Sequence, residues 1–170
     1  MQAGFLTKAA LAAALVLVPA ACAQMGGDGS GFRNQYMVAR AALEEGNYPR
    51  ANRAYKRLLA DAGPFEPRVR LEYAHSLLRG GDYQAASDEA RTLAATQDGD
   101  ARSAALAVLG TAQHELAIAA IQRGDRAGAG QYHLTVARDA LAEVLANHPD
   151  LDPLGALAGR QRSIEAALKA

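Results

Sequence analysis

The chain has 170 residues, with 18 basic and 18 acidic side chains and four histidines, for a formal net charge of zero. That length suits one domain with a modest core, and the balance argues against holding nucleic acid or a membrane surface by bulk charge. Half the residues are hydrophobic, yet there is no tryptophan and aromatics are only 5%, so alanine-rich helices in close contact are expected rather than large pockets. The zero hides an asymmetry: from Phe32 to Gly80 nine Arg or Lys stand against five acids, a net of +4, and from Gly81 onward eight stand against twelve, a net of −4.

Residues 1–22 read as an export signal. Lys8 precedes an apolar run from Ala9 to Val18, and no acid appears before Asp28. The run is shorter than the roughly 20 residues of a bilayer span and suits the apolar core of a secretory signal. The only cysteine, Cys22, stands where such a signal is cut. "VPAAC" resembles the lipobox of bacterial lipoproteins, departing from it at Pro19. That resemblance implies lipid attachment at Cys22 and, with Ala23 next, the outer membrane. "ACA", Ala21 to Ala23, also fits ordinary Ala-x-Ala cleavage, which would leave a soluble periplasmic protein. An unpaired thiol in an exported protein favours the lipid. Residues 23–31, "AQMGGDGSG", read as a glycine-rich tether; their spacing matches no phosphate-binding loop.

The folded part, 32–170, reads as helices in pairs. Tyr36, Met37, Ala39, Ala42 and Leu43 recur at helical spacing. Gly46 can take the left-handed conformation that ends a helix, Asn47 can cap the next, and Pro49 is tolerated in its first turn. That helix runs to about Leu59, and "DAGPFEP" stops it. The cycle repeats: a helix with Leu71, Ala74, Leu77 and Leu78 inward, Gly81, Asp82 as cap, then a helix from Tyr83 to about Ala95. A longer third pair begins near Ala101, turns at Gly124 and Asp125, and ends at "NHPD". Asp152 and Pro153 read as cap and first residue of a closing helix carrying Leu154, Leu157, Ala158, Ile164 and Leu168. No stretch alternates with period two, so the expected class is all-α.

A period of 34 to 35 residues with two helices per cycle marks stacked hairpins. The chain resembles the tetratricopeptide repeat. Ala39, Gly46, Tyr48, Ala51, Tyr55 and Pro64 match a first repeat, and Ala74, Gly81, Tyr83 and Ala86 a second. Gly110, Gly124 and Pro149 make a stretched third match, with Arg126 in the tyrosine's place. The resemblance implies about three stacked antiparallel hairpins, the third elongated, and a C-terminal capping helix. Small residues at Ala39, Ala51, Ala74 and Ala86 would let paired helices close to 8–10 Å. Tyr48 and Tyr83 are expected to plug the gaps between hairpins, each contributing roughly 2 kcal/mol.

Catalytic and metal chemistry has no signature. The histidines, His75, His114, His133 and His148, are never within four residues of one another, and one cysteine makes no thiolate metal site. No serine sits in Gly-x-Ser-x-Gly. No cofactor motif is present, and the chain is not expected to be an enzyme; an envelope enzyme or solute-binding protein would need a pocket with convergent polar groups.

The tetratricopeptide resemblance further implies a concave face, lined by the first helix of each pair, that binds peptides. Projected helices put Arg33, Tyr36, Arg40, Arg68, Leu71, His75, Arg79 and His114 there. Arg40, His75 and Arg79 would suit an acidic segment or a C-terminal carboxylate, though the family's asparagine and lysine clamp is not reproduced. These arginines could equally be solvated or held by Glu44 and Glu72. The function expected is an exported adaptor that holds another envelope protein, by analogy with pilotins and Flp/Tad-type pilus assembly lipoproteins. The alternative within that class is a helper in outer-membrane protein or peptidoglycan assembly.

Overall fold

The computed structural model describes residues 28–170; the export signal, Cys22 and residues 23–27 lie outside the described residues. Seven α-helices follow in order: α1 (Asp28–Glu44), α2 (Tyr48–Ala60), α3 (Glu66–Arg79), α4 (Tyr83–Thr96), α5 (Gly99–Gln122), α6 (Gln131–Asn147) and α7 (Ala156–Lys169). Two short 3-10 turns, Gly63–Phe65 and Pro149–Leu151, and a π turn, Arg126–Gly130, connect them. Among the described residues there is no strand. Each helix packs on the next, and α5 also reaches α3 and α7. The fold is a stack of antiparallel helical hairpins, the third longest.

One hydrogen-bonded device makes all three hairpin turns. Gly46, Gly81 and Gly124 have φ of 73°, 83° and 86°, a region costly for a residue with a Cβ. Their amides donate to Leu43, Leu78 and Ile121, and the amides after them to Ala42, Leu77 and Ala120, at 2.8–3.1 Å. The last carbonyls of the first helix are thus satisfied. The cap side chains then accept from the next helix: Asn47 from the Arg50 amide at 3.3 Å, Asp82 from Ala85 at 3.2 Å, Asp125 from Gly128 at 3.1 Å.

The third turn departs after its cap. The Asn47 and Asp82 carbonyls receive the amides of Ala51 and Ala86, four residues on, whereas Asp125 receives Gly130, five residues on. One residue is therefore inserted, which is what a π turn is. Gly130 takes the buried place of Ala51 and Ala86; a Cβ on it would lie 2.8 Å from the Asp125 carbonyl oxygen and 3.0 Å from Ile121.

Small residues sit at the crossings, as the spacing predicts. Ala39, Ala51, Ala74 and Ala86 are completely buried. In the third hairpin the place belongs to Gly110, where a Cβ would stand 2.6 Å from Cγ of the buried Leu141. Helix α5 has the length and mean hydropathy, 1.4, of a membrane span. Its position explains this: it is packed by α4, α6, α3 and α7, so it is apolar on most sides.

Four expectations are corrected. Helix α1 starts at Asp28, so Asp28–Gly31, read as tether, are helical. Tyr48 and Tyr83 are only half-buried, and the enclosed rings are Tyr55 and Tyr73. Tyr48 nevertheless reaches the next turn, where a Cβ on Gly80 would lie 3.0 Å from its own Cβ. Pro153 does not open α7, because Gly155, at φ 69°, bends the chain first. The Asp152 carboxylate caps α7 from a distance, accepting the Leu157 and Ala158 amides at 2.9 Å each. These bonds hold its pKa below the ordinary carboxylate value, Ala158 contributing most. Leu154 is 93% exposed, outside the apolar series expected of it.

Candidate binding face

The first helices of the hairpins, α1 and α3, meet side chain to side chain. Glu72 on α3 accepts from the Tyr36 hydroxyl of α1 at 2.6 Å and from the Tyr55 hydroxyl of α2 at 3.0 Å. Arg40 and Arg68 stand 3.7 and 3.3 Å from the same carboxylate, and Arg40 also pairs with Glu44 at 3.1 Å. Burial first, then the charge of Glu72, pushes the Tyr55 hydroxyl pKa well up. Four side chains from α1, α2 and α3 converge on this one carboxylate; the Tyr55 ring is buried, and Tyr36 and Glu72 are half-buried. Their hydrogen bonds offset the cost of taking Glu72 out of water.

Beyond this network the face opens into a cleft of about 590 Å³ between the start of α1 and the 63–69 segment. Phe32 forms its floor, stacked 5.8 Å from Phe65 and 6.5 Å from Tyr36. Val69 and Pro64 add apolar wall; Arg33, Arg68 and Asp61 stand at the rim. Arg68 lies 5.8 Å from the Tyr36 ring centroid, a cation–π distance. Phe65 is 59% exposed, so apolar ring surface faces water beside the cleft.

Three predicted face residues, Arg33, Tyr36 and Arg68, therefore line one cleft. Arg40 stays close by but is engaged by Glu44 and Glu72, the alternative the sequence left open. His75 and Leu78 line a second hollow, of about 350 Å³, together with Thr111 and the 151–157 segment. His75 is exposed, although the atoms packed around its ring desolvate it enough to lower its pKa. Leu71 is half-buried. Arg79 is drawn to the turn, 5.6 Å from the Tyr48 ring centroid.

His114 is corrected. It is 8% exposed and lies beneath α7, its Nδ1 accepting from Arg160 at 2.8 Å. The same guanidinium donates to Glu115 at 2.7 Å. The closing helix covers His114 at the α5 end of the face, and the larger cleft lies at the α1–α3 end. Phe32 and Phe65 were missed by sequence reasoning, because each adjoins a glycine- or proline-rich stretch read as connector. The signal available was an aromatic set directly in a helix-breaking sequence.

Two other polar clusters bring reactive residue types together. His148 bridges the Ser103 hydroxyl, 2.7 Å from Nδ1, and Asp100, 2.8 Å from Nε2. The residues are those of a hydrolytic triad, but the accessibility is inverted: Ser103 is buried and the Asp100 side chain is 87% exposed. A substrate carbonyl has no path to that hydroxyl, and the cluster ties the end of α6 to the start of α5. Ser87, Gln113 and His133 form a chain across α4, α5 and α6 at 2.6 and 2.7 Å; Ser87 and Gln113 are buried. Among the described residues no group of three His, Cys, Asp or Glu could hold a metal. Comparison with protein families, characterised proteins and solved structures finds no match to this chain.

Proposed function

We propose that the protein is an exported adaptor of the tetratricopeptide kind, anchored through Cys22, which holds a segment of another envelope protein at the α1–α3 cleft. The observation that carries this is the stacked Phe32–Phe65–Tyr36 set, half-buried at Phe32 and Tyr36 and exposed at Phe65, beside the rim cations Arg33 and Arg68. Such a site takes an apolar side chain into the cleft and a carboxylate at its edge. Among the described residues Arg33 has no ion pair, so it can accept a partner's charge without breaking a bond. Pilus or secretion-system assembly at the outer membrane is the setting we favour, on the lipobox resemblance and the helical-hairpin layout together.

The test is capture from detergent-solubilised envelopes by the wild-type chain and by Phe65→Ala/Arg33→Glu. Both positions are exposed, so helicity should be unchanged. Partner recovery should fall at least tenfold, about 1.4 kcal/mol. Undiminished recovery by a folded variant would remove the cleft as the binding site.

A further inference from the structure

Helix α2 buries Ala51, Ala54, Tyr55 and Leu58 and turns Arg50, Arg53, Lys56 and Arg57 to water. Positions 50, 53 and 57 follow one another along a single helical stripe. Arg40, Arg68, Arg70, Arg91, Arg102, Arg138 and Arg160 all pair with carboxylates. Among the described residues none of the four α2 cations does; Arg33, Arg79, Arg123, Arg126, Arg162 and Lys169 are unpaired too, but no other helix carries four such cations. This is also the free end of the stack, where no further described hairpin covers the outer side. On adjoining α1, Met37 and Val38 are 58% and 46% exposed, and a shallow groove with Val38, Asn34 and Arg57 joins the two helices. The nearby α1 acids are Glu44, already bound to Arg40, and Glu45.

We propose that this outer face of the first hairpin rests on anionic phospholipid headgroups. The α2 cations would meet phosphates, while Met37 and Val38 would enter the headgroup layer. A local unpaired stripe can do this although the whole chain is neutral, because surface potential acts only within about a Debye length. Which end faces the bilayer rests on the reading that Cys22 carries lipid. Five residues separate Cys22 from Asp28, so the start of α1 would sit within roughly 20 Å of the anchor. The half of net charge −4 would then point away. An acidic protein is the competing occupant, but it would not explain why the stripe and the exposed apolar side chains sit at the anchored end.

The test uses the full chain carrying Cys22→Ser, so that a failure of the lipid reading does not enter the result. Sedimentation with phosphatidylcholine vesicles is compared with vesicles that also contain phosphatidylglycerol; the N-terminal apolar run contributes to both. Preference for the anionic vesicles should be at least about tenfold and fall with salt, since each near-surface cation is worth about fivefold. Arg53→Glu/Arg57→Glu should abolish the preference at unchanged helicity. Arg53→Gln/Arg57→Gln, a gentler change, should remove part of it. Arg162→Glu/Lys169→Glu alters net charge equally on the opposite half and should stay within about threefold of the parent. The proposal is overturned if the parent chain shows no preference, if the stripe variants keep it, or if the α7 control loses it equally.

Discussion

His114 is a position where one proton has a defined place. A guanidinium can only donate, so with Arg160 2.8 Å from Nδ1 the ring must accept there and carry its hydrogen on Nε2. Burial first, and then the Arg160 charge, lower its pKa below the ordinary histidine value of 6.5, with Glu115 opposing. His133 shifts the same way, chiefly through burial and then through Arg123. A lowered folded-state pKa means that the unfolded chain takes up the proton first as pH falls. This stabilising contribution is therefore complete above about pH 6.5 and is lost as pH drops through 6.5 toward the folded value. Urea unfolding should show stability falling from pH 7.5 to 5.5, and His114→Gln should fall less steeply over that range. Parallel slopes for the two proteins would mean that His114 does not couple to unfolding.

At the scale of elements, the hairpin turns were legible because their causes are local. A glycine that can take positive φ and an Asn or Asp that can cap stand side by side at 46–47, 81–82 and 124–125, and the same bonds form each time. What was not legible depends on parts distant in sequence. Asp28–Gly31 carry glycines that weaken a helix, and local propensity cannot say that a helix continues through them. Asp152 reads as a cap from its sequence, but the bend at Gly155 moves the helix it caps. The cleft needs Phe32 and Phe65, 33 residues apart, and His114 is lost from the face only because α7 folds back over it. The third crossing was half legible: Gly110 fell at the repeat position, while its need for glycine appears only from Leu141 across the hairpin. Gly110→Ala would put a Cβ 2.6 Å from Leu141 Cγ, an atom near the base of a buried side chain that cannot swing aside. Helix propensity alone favours alanine by about 1 kcal/mol, but overpacking costs about 1–3 kcal/mol, so thermal unfolding should show a net loss. A gain in melting temperature would mean that α5 and α6 separate easily.

In the whole molecule, stability should be graded along the stack, because each hairpin depends mainly on its neighbours. Helix α5 is packed by four other helices, α3, α4, α6 and α7. Helix α1 packs along α2 and is joined to α3 and the turn before it through side chains: Tyr36 to Glu72, Arg40 to Glu72, and Phe32 stacked on Phe65. The proposed binding cleft therefore lies in the part of the stack held by the fewest neighbours. Native-state hydrogen exchange should find the slowest amides in α5 and the fastest helical ones in α1. Glu72→Gln keeps the side chain's shape but leaves one acceptor oxygen where two tyrosine hydroxyls now bond, and Tyr55 is fully buried. A buried hydroxyl without its acceptor costs about 1–3 kcal/mol. Exchange in α1 and α2 should therefore quicken about tenfold or more, while α5 and α6 stay within about twofold because local openings need not cross the stack. Equal acceleration in all seven helices would show instead that the stack opens as one cooperative unit, with the Glu72 network holding the whole of it together.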